Sequence, residues 1–305
     1  MTPRVGGVGL GLRWEFIDEL VERTQKVESD GQPPLPLDFL EVSPENYMRR
    51  GGKYPTALGW LAERYPIVTH GLTMSLGGTD TIDPGYLNDL SGMLRAVKTP
   101  WHSDHLCFTS VDGRAVHELL PVPYKRSGAF RIAERIRQVR DTLGLPIAIE
   151  NVSSYWHPGR AEMAEAEFLA SVCDAADCAL LLDVNNAYVN ATNFGLDARA
   201  WMRSIPFERV IEIHVAGHEW FAVDEKGLGD PRADGAEGAM IIDTHGAATP
   251  GPVLELLEHA LARTGPIPVL LERDQNVPAL DALLVEVAKI RSIWRQSSRR
   301  LGRTE

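Results

Sequence analysis

Three scarcities narrow the field before any motif is read. The chain of 305 residues has only three cysteines, Cys107, Cys173 and Cys178, too few for a disulfide framework and without the paired spacing of a zinc ribbon. A reducing compartment follows as the expectation. No apolar run reaches the length of a membrane helix, and residues 1–12 are too short and glycine-rich for the apolar core of a signal peptide. The reading is a cytosolic (cytoplasmic) protein with no membrane partner. Positive charge is short as well, with 31 Lys and Arg against 42 Asp and Glu and a net charge of −11. That balance disfavours a nucleic-acid partner, because such binding draws most of its affinity from neutralising phosphates. Arg299, Arg300 and Arg303 form a small basic tail, read as solvated and loose over about 295–305.

What is present is a regular alternation. Eight short apolar runs bounded by Gly or Pro read as strands, at 5–12, 37–43, 67–76, 100–108, 146–153, 179–189, 210–218 and 268–274. Helix periodicity fills the intervals, for example at 13–28, 126–143, 165–176, 252–263 and 277–294, with Gly144 and Gly265 where C-terminal caps belong. Strands alternating with helices imply a parallel sheet with right-handed crossovers, and eight units suit a closed (β/α)8 TIM barrel. An open doubly wound sheet is the alternative. No linker or internal repeat divides the chain, so 1–305 reads as a single barrel domain, with 219–250 longer than an ordinary connection.

The strands end in metal-type donors. Val210-Ile-Glu-Ile-His-Val-Ala-Gly-His218 carries Glu212, His214 and His218 at one parity, so these side chains share a face if the run is extended. Other runs end in His70, Glu150, Asp183 with Asn185, and Glu272, while Asp243 and His245 fall in the long connection. His102 and His105 have opposite parity, and His105, nearer the strand's end, is the inward candidate. An open sheet would spread these groups along an edge, whereas a barrel gathers them at one mouth. Each alone could be a hydrogen-bonded structural residue, and the turn-like Asp183-Val-Asn185 and Asp243-Thr-His245 could be local capping. Read jointly, the ten donors other than Glu212 exceed the roughly four to six that one ion takes, so about two or three ions are expected, with Glu150 as a bridge. Histidine and carboxylate without cysteine point to iron or manganese. His117, His157 and His259 have no such context.

Taken with their neighbours these runs resemble one family, the multinuclear non-haem iron-dependent oxidases that modify ribosomally made peptides. The matching stretches are Glu41-Val-Ser-Pro-Glu-Asn-Tyr47, His70-Gly-Leu-Thr-Met-Ser-Leu76, Ser103-Asp-His-Leu-Cys107, Glu150-Asn-Val-Ser-Ser154, Leu182-Asp-Val-Asn-Asn186, Glu212-Ile-His-Val-Ala-Gly-His218, Asp243-Thr-His-Gly246 and Leu271-Glu-Arg-Asp274. The resemblance implies a xylose-isomerase-like barrel with mixed Fe(II)/Fe(III) ions in its mouth and O2 as co-substrate. By motif, one iron would be held by Glu150, Asp183, His214 and Glu272, a second by His70, His105 and Glu150, and a third by Asn185, His218, Asp243 and His245. Asp274 matches an acidic residue placed for proton transfer; a salt bridge to Arg273 or another barrel arginine is its ordinary alternative. The substrate implied is a precursor peptide, with cysteine first among the residues modified, often delivered with a small leader-binding partner protein. Competing readings are a divalent-metal sugar isomerase or epimerase, an endonuclease-type hydrolase, and a non-catalytic iron-binding protein.

Overall fold

The computed structural model describes residues 5–224, 227–231 and 238–301. Its strands, in chain order, begin with β1 (Val8–Gly11), β2 (Leu40–Val42), β3 (Ile67–Gly71) and β4 (His102–His105), then a hairpin of β5 (Cys107–Val111) and β6 (Arg114–Pro121). β7 (Ile147–Glu150), β8 (Ala179–Asp183) and β9 (Val210–Val215) follow, then a small sheet of β10 (Glu219–Asp224), β11 (Gly227–Pro231) and β12 (Ala239–Ile242), and finally β13 (Val269–Leu271). Eight of them close into a barrel in the order β1-β13-β9-β8-β7-β4-β3-β2. Every barrel pair is parallel, from Val8 opposite Val269 to Leu10 opposite Leu40. All eight expected runs contain a barrel strand, and the doubly wound alternative is excluded by the closure.

The helices pack around the outside because their apolar stripes face the strands. Ala129, Ile132, Ala133, Ile136 and Val139 of the helix Arg126–Leu143 are buried, and its end is set by Gly144 in the left-handed conformation, as expected. Gly265 caps Gly251–Thr264 in a different conformation, with φ of 79° and ψ of −171°, its N–H donating to the Leu261 carbonyl. No described helix is long and apolar enough to cross a membrane.

Three details differ from the sequence reading. The run at 179–189 is a strand only to Asp183, after which Val184–Asn193 is a helix, so Asn185 lies on a helix and shares no strand parity with Asp183. Asp183 itself is the cause: its side chain accepts from the Asn186 backbone N–H and caps that helix. The long connection at 219–250 holds the antiparallel sheet of β10, β11 and β12 rather than a plain loop, and β12 stops at Ile242, before Asp243 and His245. Finally, the helix Leu280–Leu301 runs through most of the basic tail, so residues 295–301 are helical; Arg303 lies outside the described residues.

Inside the barrel, parity separates a floor from a mouth. Phe39, Val68 and Leu270 form a small buried cluster with Trp101 packed on it. Two residues further along the same strands, on the same face, stand Glu41, His70, Ser103 and Glu272. The apolar layer closes one end, and the polar layer opens at the C-terminal ends, where barrels carry their chemistry.

Candidate metal centre

Glu150 stands at the middle of this mouth, 1 % exposed at the end of β7. Its two oxygens face different neighbours. Oε2 lies 3.2 Å from His70 Nε2 and 3.0 Å from His105 Nε2, whereas Oε1 lies 3.6 Å from His214 Nδ1. The same His214 Nδ1 is 3.1 Å from Glu272 Oε2. Donor atoms of His70, His105 and Glu150 converge within 4.8 Å, and those of Glu150, Asp183, His214 and Glu272 do so separately. Two of the expected donor sets are thus assembled, and Glu150 belongs to both.

Each histidine is aimed by a second contact that fixes which nitrogen is free. Ser103 Oγ donates to the Thr69 carbonyl at 3.2 Å, so it accepts from His70 Nδ1 at 2.9 Å and leaves Nε2 with its lone pair. His105 Nδ1 donates to the Gly71 carbonyl at 3.0 Å, which again leaves Nε2 toward Glu150. His214 is reversed: Nε2 faces the Glu41 carboxylate at 3.2 Å, so Nδ1 is presented to Glu150 and Glu272. Such carboxylate or carbonyl partners are what metal-ligating histidines use to set tautomer and basicity. Asn151 clamps the neighbouring strand end, its amide bonding both the N–H and the C=O of Asp183.

The third set assembles above the strands. Asn185 Nδ2 donates to Asp243 Oδ1 at 2.6 Å, His218 Nδ1 bonds Asn185 Oδ1 at 2.8 Å, and His245 Nε2 lies 2.9 Å from Asp243 Oδ1. His218 follows β9 rather than lying on it. His245 is held with φ of 49°, a conformation that costs a non-glycine residue about 1–2 kcal/mol. Its Nδ1 reaches Asp274 Oδ2 at 3.0 Å.

Asp274 is gripped from the other side by Arg13, whose Nε donates to Oδ1 at 2.7 Å. Arg273 points elsewhere, pairing with Glu286 at 2.9 Å, so the ordinary alternative for Asp274 is an arginine 261 residues away rather than its neighbour. Sequence reasoning missed Arg13 because 13–28 has helix periodicity, yet the helix starts at Ile17 and frees Arg13 for the mouth. It also missed Glu41, Ser103 and Asn151 as supports. Glu41 did stand on a predicted strand, but nothing local marks its partner on β9. His102, as expected, sits on the opposite face of β4, its Nδ1 3.0 Å from Thr69 Oγ1.

The electrostatics is that of crowded, mutually compensating charge. Burial penalises ionised Glu150, yet His105 and His70 hold it below its ordinary value. Glu272 goes well below against the same burial, drawn down by His214 and His245. Burial pushes Asp183 well up, with the Glu150 and Asp243 carboxylates adding to it. For Asp274, Arg13 and His245 outweigh burial and lower it to about 2. Glu150 Oε2, Asp183 Oδ2 and His214 Nδ1 are buried without a hydrogen bond, a cost of about 1–3 kcal/mol each unless something binds there. All three are metal-donor atoms at the meeting point of the sets, so the residues present fit a cluster of cations. A cavity of about 430 Å3 opens beside them, lined by Arg13, Leu72, Ser153, Asp243 and Asp274 among others.

Comparison with known proteins identifies the family and the fold. The family described as RiPP precursor modification enzyme MbnB/TglH/ChrH matches residues 7–295. A UPF0276 protein of Acinetobacter baylyi is 40% identical over 303 residues, covering 99% of this chain and 96% of its own. A second, from Pseudomonas aeruginosa, is 41% identical over 294 residues, covering 96% and 94%. Among solved structures, endonuclease IV from Thermus thermophilus superposes with a TM-score of 0.55 at 17% identity, over 95% of this chain and 99% of that one. An L-ribulose 3-epimerase gives 0.55 at 14%, over 98% and 97%, and a xylose isomerase-like TIM barrel protein from Mycobacterium smegmatis with magnesium gives 0.55 at 10%, over 96% and 98%. At these identities the structural likenesses establish a xylose-isomerase-like TIM barrel and nothing of the chemistry.

Proposed function

The chain belongs to the RiPP precursor modification enzyme family MbnB/TglH/ChrH, and from that premise we propose that it is an iron- and O2-dependent oxidase acting on a residue, cysteine first among the candidates, of a ribosomally made precursor peptide. The observation that carries the iron part is Glu150, one carboxylate whose two oxygens serve two separate sets of His and carboxylate donors. Nitrogen and oxygen donors without thiolate suit iron, and adjacent ions sharing an anion need such a bridge.

In this reading His70, His105 and Glu150 would hold one ion, Glu150, Asp183, His214 and Glu272 a second, and Asn185, His218, Asp243 and His245 a third. The ions, when bound, supply the electron-transfer chemistry with O2 that protein side chains lack, and a site for a substrate thiolate whose pKa a cation lowers. The protein's own residues do the rest. Ser103, the Gly71 carbonyl and Glu41 point the imidazoles. Arg13 and His245 keep Asp274 ionised at the edge of the cavity, which makes it an acceptor for a substrate N–H or O–H. The apolar floor of Phe39, Val68 and Leu270 seals the cluster from the far end of the barrel. We place the activity in the cytosol, with a small leader-binding protein as partner.

The test is elemental analysis after anaerobic purification together with O2 uptake. About two to three irons per chain and O2 consumption that requires a peptide are expected. A single divalent ion with no O2 uptake would return the protein to the epimerase or hydrolase class; full iron with peptide-independent inertness would leave a binding protein only.

A further inference from the structure

The metal-lined cavity has a neighbour. A groove of about 470 Å3 runs beside it, walled by the loop after β3 and by the β5–β6 hairpin. Leu72 and Leu119 line both spaces, so groove and cavity are contiguous. These two side chains are 36% and 37% exposed, with Val111 at the hairpin tip 42% exposed, which leaves an apolar rim in water. The hairpin is a two-stranded sheet of its own, so β5 and β6 each have one edge unpaired within it. The outer edge of β5 is occupied, because the Thr109 N–H donates to Ser75 Oγ at 3.0 Å and the Gly77 N–H donates to the Cys107 carbonyl at 2.7 Å, so among the described residues the open edge is that of β6. Glu118 is the charged residue in the groove wall.

We propose that the precursor segment flanking the modified residue lies extended in this groove, against the β5–β6 hairpin, with apolar side chains on Leu72, Val116 and Leu119 and a basic one at Glu118. This rests on the peptide-oxidase reading of the adjoining cavity. A cavity lined by Arg13, His70, His105, Glu150, Glu272 and Asp274, with Leu72 and Leu119 on the side it shares with the groove, has room and chemistry for a reacting side chain, and its apolar wall continues into the groove. The backbone on either side must leave it and satisfy its own N–H and C=O groups. An open strand edge does so with little demand on sequence, while alternate side chains enter the groove and supply selectivity. Another surface groove, bounded by Tyr188, Leu196, Arg199, Pro252 and Glu255, has no wall residue in common with the cavity.

The probe is a pool of synthetic ten-residue peptides, each with one central cysteine flanked by alternating apolar and basic residues. It is presented to the full-length iron-loaded chain, and retention, amide hydrogen exchange over residues 107–121 and O2 uptake are read together. Retained peptides are expected to slow exchange along the hairpin, and Val116→Asp with Leu119→Asp to cut retention about tenfold while iron content stays at the native level. Val285→Asp, on the outward helix Leu280–Leu301, is expected to change neither. Peptides that are retained and oxidised without altering hairpin exchange would overturn the groove and leave the oxidase standing. Peptides that protect the hairpin without O2 uptake would support the groove and sink the oxidase. Absence of any retention, or equal retention by the double variant, also overturns the groove; exchange on the native chain decides even if the double variant fails to fold.

Discussion

The donors that ride on barrel strands and those carried above them are built in different ways. His70, Glu150, Asp183 and His214 are at most 3% exposed, and three of them are fixed by a partner outside the donor set: Ser103 for His70, the Asn151 clamp at Asp183, Glu41 for His214. The upper set of Asn185, His218, Asp243 and His245 comes from a helix and two loop segments. Although Tyr188 stacks on His218, Tyr155 accepts from the Asp243 N–H and His245 reaches Asp274, its donor side chains are linked in series, His218 to Asn185 to Asp243 to His245. Sheet register positions the lower donors before any ion arrives, whereas the upper set is a chain of contacts that fails at its weakest link. The lower sets should therefore be robust and stepwise in their response to mutation, and the upper set all-or-none.

Glu150→Gln is the most severe test, since it removes the one anion common to both lower sets. Iron is expected to fall from about two or three per chain to below about one, with thermal stability at the apo level. Retention of full iron would dissolve the comparison, because the lower donors would then not form one unit. Asp243→Asn comes next. Losing the carboxylate that Asn185 and His245 share should remove about one iron per chain and leave the other ions, read by elemental analysis and by a Mössbauer spectrum that keeps the remaining components. If all iron is lost, the two regions are a single cooperative cluster and the division drawn above is wrong.

The same division governs what could be read from sequence. Strand donors were legible because period 2 is strict: Glu212 and His214 fall on one face, His105 is chosen over His102, and Glu150 ends its run, each as the barrel shows. The closed barrel was legible in the eight runs themselves. Asn185 was misplaced because Leu-Leu-Leu-Asp-Val-Asn continues the apolar rhythm of a strand, while the Asp183 carboxylate capping the Asn186 N–H had already begun a helix. Asp243 and His245 would share a face only if 241–245 were extended, but β12 ends at Ile242, so strand parity does not place them and their assignment to one ion with His218 came from the family resemblance. Arg13 and Glu41 illustrate a different blindness: their partners lie 261 and 173 residues away, and no local pattern encodes a contact of that separation.

Glu41→Gln probes the anchoring that sets the strand donors apart. The amide retains the size of the side chain but loses the charge that makes His214 a stronger donor, so apparent iron affinity should drop about 10- to 100-fold, with the fold intact. The loss should fall first on the set of Glu150, Asp183, His214 and Glu272, because His214 Nδ1 faces Glu150 and Glu272. A titration with ferrous ion under anaerobic conditions reads this as one weakened step among unchanged ones; uniform weakening would count against directional anchoring.

Ser103→Ala carries the same logic to its smallest expected effect. The hydroxyl gives its only proton to the Thr69 carbonyl, so it fixes His70 as the Nδ1–H tautomer through a neutral hydrogen bond, worth about 0.5–1.5 kcal/mol. Without it the imidazole gains a second tautomer and some rotational freedom, and binding at the His70, His105 and Glu150 set should weaken about 2- to 10-fold. His105 keeps its bond to the Gly71 carbonyl and still presents Nε2, so the ion is loosened rather than lost. The contrast with Asp243→Asn then becomes quantitative: a support removed beneath a strand donor shifts an affinity, while a link removed from the upper chain abolishes a site. Equal and complete loss in both variants would mean that the strand register does not preorganise the lower sets at all.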